Sequence, residues 1–183
     1  LGYGYLLLEK ASRLNDLTID HTINDSAWPM FLKAGWKGEN LKRLLYILNP
    51  KNSFYDLPPS NIPSTSDRQY RMIYEAVRKF GPETDEFWNR IKNRYPVTIA
   101  RNSDYLNWRF ADHPLLKYQM FAAKNDDDII RALVVLRIEE VKVQKSLGMR
   151  AARVIDYLSD GEGDIPTLSK TVEYCRDNSV DFI

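Results

Sequence analysis

The chain has 183 residues, of which 44% are hydrophobic and 28% are charged. This is the composition of a folded globular protein, and it excludes a disordered or fibrous chain. The 26 basic residues nearly balance the 25 acidic ones, so the net charge of +1 excludes nucleic acid and anionic membrane surfaces as expected partners.

Four elements are predicted in the first 49 residues. They are a helix, a strand, a helix and a strand, over residues 1–15, 17–23, 26–34 and 41–48. Leucines at helical spacing define the first helix after a Gly-Tyr-Gly opening, and alternating apolar and polar residues define the first strand. Ser26 is predicted to cap the second helix, and Gly35 is predicted to end it.

The rest of the chain begins with a linker, because four prolines lie among serines and asparagines between residues 49 and 66. After it we predict two helices, over residues 67–80 and 84–95, and a hairpin whose strands, 118–124 and 129–138, are joined by an Asn-Asp-Asp-Asp turn. A third strand over 151–158, a helix over 166–177 and a last strand ending at residue 183 follow. The chain is thereby divided into residues 1–49, a linker with helix over 50–83, and a second unit over 84–183.

Several residues of the first unit match a known family. The matching positions are a glycine loop with the leucines behind it, a short strand and a block of spaced residues: Gly2, Gly4, Leu6 and Leu7; residues 17–19; and Asn24, Ala27, Phe31, Gly35 and Trp36. With these residues the run from 1 to 48 resembles the second half of the GNAT acetyltransferase superfamily. The resemblance implies an α/β (α+β) fold with a mixed, mostly antiparallel sheet flanked by helices.

The resemblance also implies a ligand and a reaction. In that family the loop amides hold the pyrophosphate of acetyl-CoA, and an amine attacks the thioester without a metal. The implied cofactor-binding residues are Gly2, Tyr3, Gly4, Tyr5 and Asn24. The acceptor would be an amine on a small molecule, a sugar or a peptide. Taken alone, however, a Gly-x-Gly pair more often makes only a tight turn.

One position departs from the family pattern. Phe31 stands where the family usually has the tyrosine that protonates the leaving thiolate, and phenylalanine has no proton to donate. Tyr3 or Tyr5 is an alternative acid, although a core or surface role is favoured for both. The sequence therefore names no catalytic residue.

The second unit resembles the first half of another GNAT-type unit. Residues 101–110 read Arg-Asn-Ser-Asp-Tyr-Leu-Asn-Trp-Arg-Phe and precede a His-Pro pair. This pattern is similar to that of the C-terminal modules of bacterial tandem acyltransferase-like proteins. We predict a structural role, in which Tyr105 and Trp108 pack and Arg109 locks the segment against the sheet. The alternative is that Arg109 faces a substrate.

The loop after the third strand of this unit carries the wrong charge for phosphate. Residues 159–164 read Ser-Asp-Gly-Glu-Gly-Asp and place three carboxylates where an active GNAT unit would hold the pyrophosphate. We therefore predict that the second unit does not bind CoA in the ordinary way. Two functions follow: transfer of an acyl group from acyl-CoA to an amine, or, as the alternative, a catalytically inactive binding or scaffolding module.

The sequence also indicates a compartment. It contains no apolar stretch long enough to span a bilayer and no cleavable leader. Its single cysteine, Cys175, has no disulfide partner and no neighbouring thiol or histidine with which to hold a metal. We expect a cytoplasmic protein without a metal site. Because the chain starts at Leu1 rather than at a methionine, we also expect it to be a piece of a longer protein.

Overall fold

The computed structural model describes residues 3–14, 23–39, 44–49, 72–95, 98–141 and 148–183. Gly2, nearly all of the first predicted strand, the proline-rich linker and the first residues of the helix predicted after it lie outside this set. Within the set, none of the helices combines the length and the apolar character that crossing a membrane requires. The chain divides into two compact units, Leu1–Leu44 and Leu45–Ile183.

The first unit contains the two predicted helices, α1 (Tyr3–Ser12) and α2 (Trp28–Lys33). Helix α2 ends at Gly35, whose φ of 82° lies in the left-handed region that glycine tolerates. The Trp36 amide then donates to the Phe31 carbonyl, and the two rings meet edge-on with their centroids 5.1 Å apart. The predicted glycine stop is therefore confirmed, and a hydrophobic contact closes it.

The start of α2 differs from the prediction. Ser26 does not cap the helix, because its hydroxyl donates to Oδ1 of Asn24 at 2.8 Å and the N-cap position falls on Ala27. Oδ1 of Asn24 also accepts from the Ala27 amide at 2.8 Å. Asparagine closes such turns because its short side chain reaches amides a few residues further on. Asn24, rather than Ser26, thus sets the entry into α2.

The second unit is built on a four-stranded antiparallel sheet, which confirms an α+β fold. Its strands, in spatial order, are β1 (Ile73–Ala76), β2 (Gln119–Lys124), β3 (Ile130–Glu140) and β4 (Arg150–Ser159). The predicted hairpin and the predicted third strand are both present as β2, β3 and β4. The pairing of β3 with β4 shifts by one residue, which leaves Ile155 as a bulge in β4.

In the described part of the second unit, helices accompany the sheet. They are α3 (Pro82–Ile91), α4 (Ser103–Leu106), which continues as a π-helical turn (Asn107–Ala111), and α5 (Asp164–Asp177). One hydrophobic core contains residues of α3, α4 and the sheet, including Phe87, Trp88, Leu106 and Leu133. A second core places Cys175 of α5 against other residues of the sheet. The two cores make this unit a layered α+β structure.

The helix predicted over residues 67–80 is wrong where the structure describes it. Residues 73–76 form β1, and all four pair with β2. The residues Ile-Tyr-Glu-Ala are compatible with either state, so pairing across the sheet decides between them. Gly81-Pro82 likewise begins α3 instead of ending a helix, because proline is tolerated at the first helical position.

Beyond β4 the sheet continues through two short segments. Phe182 forms a parallel bridge with Ala151 of β4 and an antiparallel bridge with Ile47. The last predicted strand is therefore reduced to a bridge. Of the strand predicted over residues 41–48, the described part, 44–48, retains only the bridge at Ile47.

Candidate functional site

The loop between β4 and α5 is the strongest candidate site in the second unit. We call residues 159–164 the acidic loop. It leads from the end of a strand directly into the N-terminus of a 14-residue helix. The free amides and the positive dipole end at such a position attract anions. This is also the place where the GNAT resemblance predicts a pyrophosphate loop.

A carboxylate of the protein itself accepts hydrogen bonds from two backbone amides of the acidic loop. Oδ1 of Asp160 accepts from the amides of Glu162 at 3.0 Å and of Gly163 at 3.3 Å. The Gly161 amide donates to Oγ of Ser159 at 2.9 Å. These three amide donors are therefore already satisfied by side chains of the loop.

Arginines from other elements surround the acidic loop. Nη1 of Arg131, on β3, lies 3.0 Å from Asp160 and 3.1 Å from Glu162. The side chains of Asp160 and Arg131 are only 15% and 26% exposed, so this pair is less screened than a surface pair. The guanidinium of Arg94 lies so close to Gly161 that a Cβ there would come within 2.9 Å of its Nη1. The acidic loop is thus held in place by positive charge.

Gly163 is required by close packing rather than by its backbone angles, since its φ is −76°. A Cβ at this position would lie 2.9 Å from the Arg131 carbonyl oxygen and 3.1 Å from Cβ of Ala132. Because backbone cannot move aside cheaply, Gly163→Ala should lower the free energy of unfolding by about 1–3 kcal/mol. Urea unfolding followed by circular dichroism measures this change.

A second glycine provides the matched control for Gly163→Ala. A Cβ on Gly4, in α1, would meet its nearest neighbour, Sδ of Met30, at an ordinary 3.7 Å. Gly4→Ala should therefore leave stability unchanged or raise it slightly, as alanine does in helices. Equal losses in both variants would contradict the packing explanation for Gly163.

The described residues of the predicted acetyl-CoA site lie in two places in the first unit. Tyr3, Gly4 and Tyr5 share the first turn of α1, which carries no acidic residue, and Tyr3 is 86% exposed. The side-chain oxygen of Asn24 is engaged within its own turn. Among the described residues, no hydrogen bond joins Asn24 to the first turn of α1. That these residues bind a cofactor stays a prediction.

Phe31 is a packing residue. It is 8% exposed and forms the edge-on contact with Trp36 that closes α2. The residue that stands at the family's usual acid position thus contributes to the core of the first unit. The block of spaced residues that suggested the GNAT family also includes Asn24 and Gly35, which lie in the turns before and after the same helix.

Asn107 provides the anchor that the sequence assigned to Arg109. Its Oδ1 accepts from the Phe80 amide at 2.8 Å, and its Nδ2 donates to the Phe80 carbonyl at 2.9 Å. Arg109 is exposed and has no hydrogen-bond or ion-pair partner in the described part of the chain. Trp108 is 68% exposed rather than packed into the core. Asparagine is a poor helix former, so its presence in a helical stretch was the only sign in the local sequence that Asn107 has this role.

The side chains of Cys175 and Tyr157, near α5, are not activated for reaction. Burial raises the pKa of the Cys175 thiol to about 11, so it remains protonated at neutral pH. The Tyr157 hydroxyl donates to Asp164 at 2.8 Å, and burial raises its pKa well above the usual range. In the described ranges, no group of three histidine, cysteine or acidic residues is placed to hold a metal ion.

Comparisons of the chain with models of known protein families, with curated proteins and with solved structures find no match. The GNAT resemblance therefore rests on the residues themselves. A function has to follow from the acidic loop and from the first turn of α1.

Proposed function

We propose that the chain is a GNAT-like binding or scaffolding module whose second unit does not transfer acyl groups. One observation carries this proposal: the Asp160 carboxylate accepts from two amides of the loop where the GNAT resemblance places a pyrophosphate. An incoming diphosphate would have to displace a carboxylate that Arg131 also holds, and it would then meet Glu162 and Asp164. Like charges that lie close together repel strongly in a site that is partly shielded from solvent.

The first unit supports the same proposal through Phe31. Acyl transfer from a thioester needs a proton for the leaving thiolate, or a solvent route that supplies one. Phe31 has no such proton, and its ring is buried against Trp36. A unit of this kind retains the helices of the family pattern without its usual acid.

A second candidate function is transfer of an acyl group from acetyl-CoA to an amine on a small molecule, sugar or peptide. It is favoured by the first turn of α1, which carries no acidic residue and exposes Tyr3. An acid-free helix start attracts the pyrophosphate of CoA, whereas the acid-rich start of α5 repels it. In this candidate Gly2, Gly4 and their neighbours bind the cofactor.

Thermal unfolding with and without acetyl-CoA separates the two candidates. A ligand at a hundred times its dissociation constant stabilises the native state by about 2.7 kcal/mol, which raises the melting temperature by several degrees. We expect no rise in the unmodified chain. A rise that disappears in Gly4→Asp and persists in Gly4→Ala would instead support the transferase candidate.

Asp160→Asn completes this experiment. It removes one carboxylate charge from the acidic loop while keeping the size of the side chain. A rise in melting temperature that acetyl-CoA causes in the unmodified chain, and that Asp160→Asn enlarges, would place the cofactor at the acidic loop. That result would overturn the proposal that the second unit is closed to CoA.

A further inference from the structure

A groove separate from the acidic loop lies between β1 and α3. Its cavity volume is about 300 Å³, which is at the lower end of the range for small-molecule pockets. Buried apolar side chains form part of its lining, including Ala122, Ile130 and Leu133. Charged side chains also line it. The groove is thus amphipathic, with room for a ligand of a few heavy atoms.

Most of the charges that line this groove are paired. Glu75 lies 3.3 Å from Nζ of Lys124, which also lies 2.8 Å from Asp128. Lys79 lies 3.0 Å from Asp112. These three side chains of the lining are therefore neutralised by neighbours, and they leave little net charge for a ligand to balance.

Two charged side chains of the lining have no partner among the residues that the structure describes. Arg78 and Glu83 both line it and both are exposed. Neither forms a hydrogen bond or ion pair with any residue that the structure describes, including each other. A groove with one free cation and one free anion is complementary to a ligand that carries one charge of each sign.

Thr84 is a buried residue of the lining. It lines the groove in the first turn of α3 and is 1% exposed, yet its Oγ1 has no hydrogen-bond partner among the described residues. The N-cap of α3, Gly81, provides no side chain to cap the turn. Because this oxygen has almost no solvent-accessible surface, a ligand in the groove does not reach it, and it takes no part in the binding proposed below.

We propose that the groove binds a small zwitterion with an apolar side chain, such as an apolar amino acid. The ligand carboxylate pairs with the Arg78 guanidinium, and its ammonium group pairs with Glu83. Its side chain covers the apolar lining at Ala122 and Leu133. The groove shares no lining residue with the acidic loop or α1, so this proposal does not depend on whether the chain binds acetyl-CoA.

The probe is L-leucine, titrated into the full chain labelled with ¹⁵N and followed by NMR. We expect saturable shifts of the amide signals of Thr84, Ala122 and Leu133. Two analogues each lack one charge: 4-methylpentanoate has no ammonium group, and 3-methylbutylamine has no carboxylate. Each should bind about tenfold more weakly, a difference of about 1.4 kcal/mol.

Variants assign the two charges of the ligand. Arg78→Gln and Glu83→Gln change exposed side chains and should each weaken L-leucine binding about tenfold. Glu173→Gln, an exposed change on α5, is the matched control and should have no effect. The proposal is overturned if L-leucine causes no saturable shifts, if the shifts lie away from the groove, or if either analogue binds as well as L-leucine.

Discussion

Asp181→Ala is expected to lower the free energy of unfolding by about 2–4 kcal/mol, because it leaves two partly buried donors without their acceptor. Asp181 is 6% exposed, and its Oδ2 accepts from the Arg150 amide at 2.8 Å. Its Oδ1 accepts from Nδ2 of Asn49 at 3.0 Å. The carboxylate thus joins β4, the C-terminal segment and residues 45–49, three segments that are distant in sequence.

Urea unfolding of Asp181→Ala measures this effect, and Asp177→Ala is the matched control. Asp177 is an exposed acidic residue at the end of α5, and its removal should change stability by less than about 0.5 kcal/mol. If both variants lose the same amount, Asp181 does not act through its buried hydrogen bonds. A large loss in Asp181→Ala alone would support the inclusion of residues 45–49 in the second unit.

The elements that the sequence predicted correctly have local signals. The run from β2 to β3 is apolar on both sides of an Asn-Asp-Asp-Asp turn, and such a run reads as a hairpin without knowledge of the rest of the chain. The glycine stop after α2 is equally local, since only glycine takes a φ of 82° without strain. β1 had no such signal. Its four residues are a strand because β2 lies beside them.

The acidic loop shows the same division between local and distant causes. Its carboxylates are visible in the sequence, and from them we predicted repulsion of phosphate. The bonds of Asp160 to the loop amides are a local turn, whereas the sequence does not show that Arg131 reaches the same carboxylate from β3. Nor does it show that Gly163 lies against the backbone of that same residue.

The block from Asn24 to Trp36 shows how a family-like pattern can have a purely structural cause. Asn24 closes the turn before α2, and Gly35 with Trp36 closes its end against Phe31. Any helix of this length that is closed in the same way needs similar residues at similar spacings. The match is therefore compatible with the GNAT resemblance and is also explained without it.

Asn107→Ala is expected to cost about 2–4 kcal/mol of the free energy of unfolding, since two backbone groups of Phe80 lose their partners together. The Asn107 side chain takes the place of a neighbouring strand: one atom accepts from the Phe80 amide and the other donates to its carbonyl. Phe80 is 4% exposed, so water cannot readily replace these bonds. Asn107→Asp keeps the acceptor but loses the donor, and it should cost about half as much.

Asn89→Ala is the matched control for Asn107→Ala. Asn89 is exposed on α3, and among the described residues its side chain accepts only from Nζ of Lys92, at 3.0 Å. Its removal should change stability by less than about 0.5 kcal/mol in the same urea experiment. The order Asn107→Ala, Asn107→Asp, Asn89→Ala, from largest to smallest loss, follows only if both Phe80 bonds form. A loss in Asn107→Asp equal to or larger than that in Asn107→Ala would contradict the equal division of the loss between the two bonds.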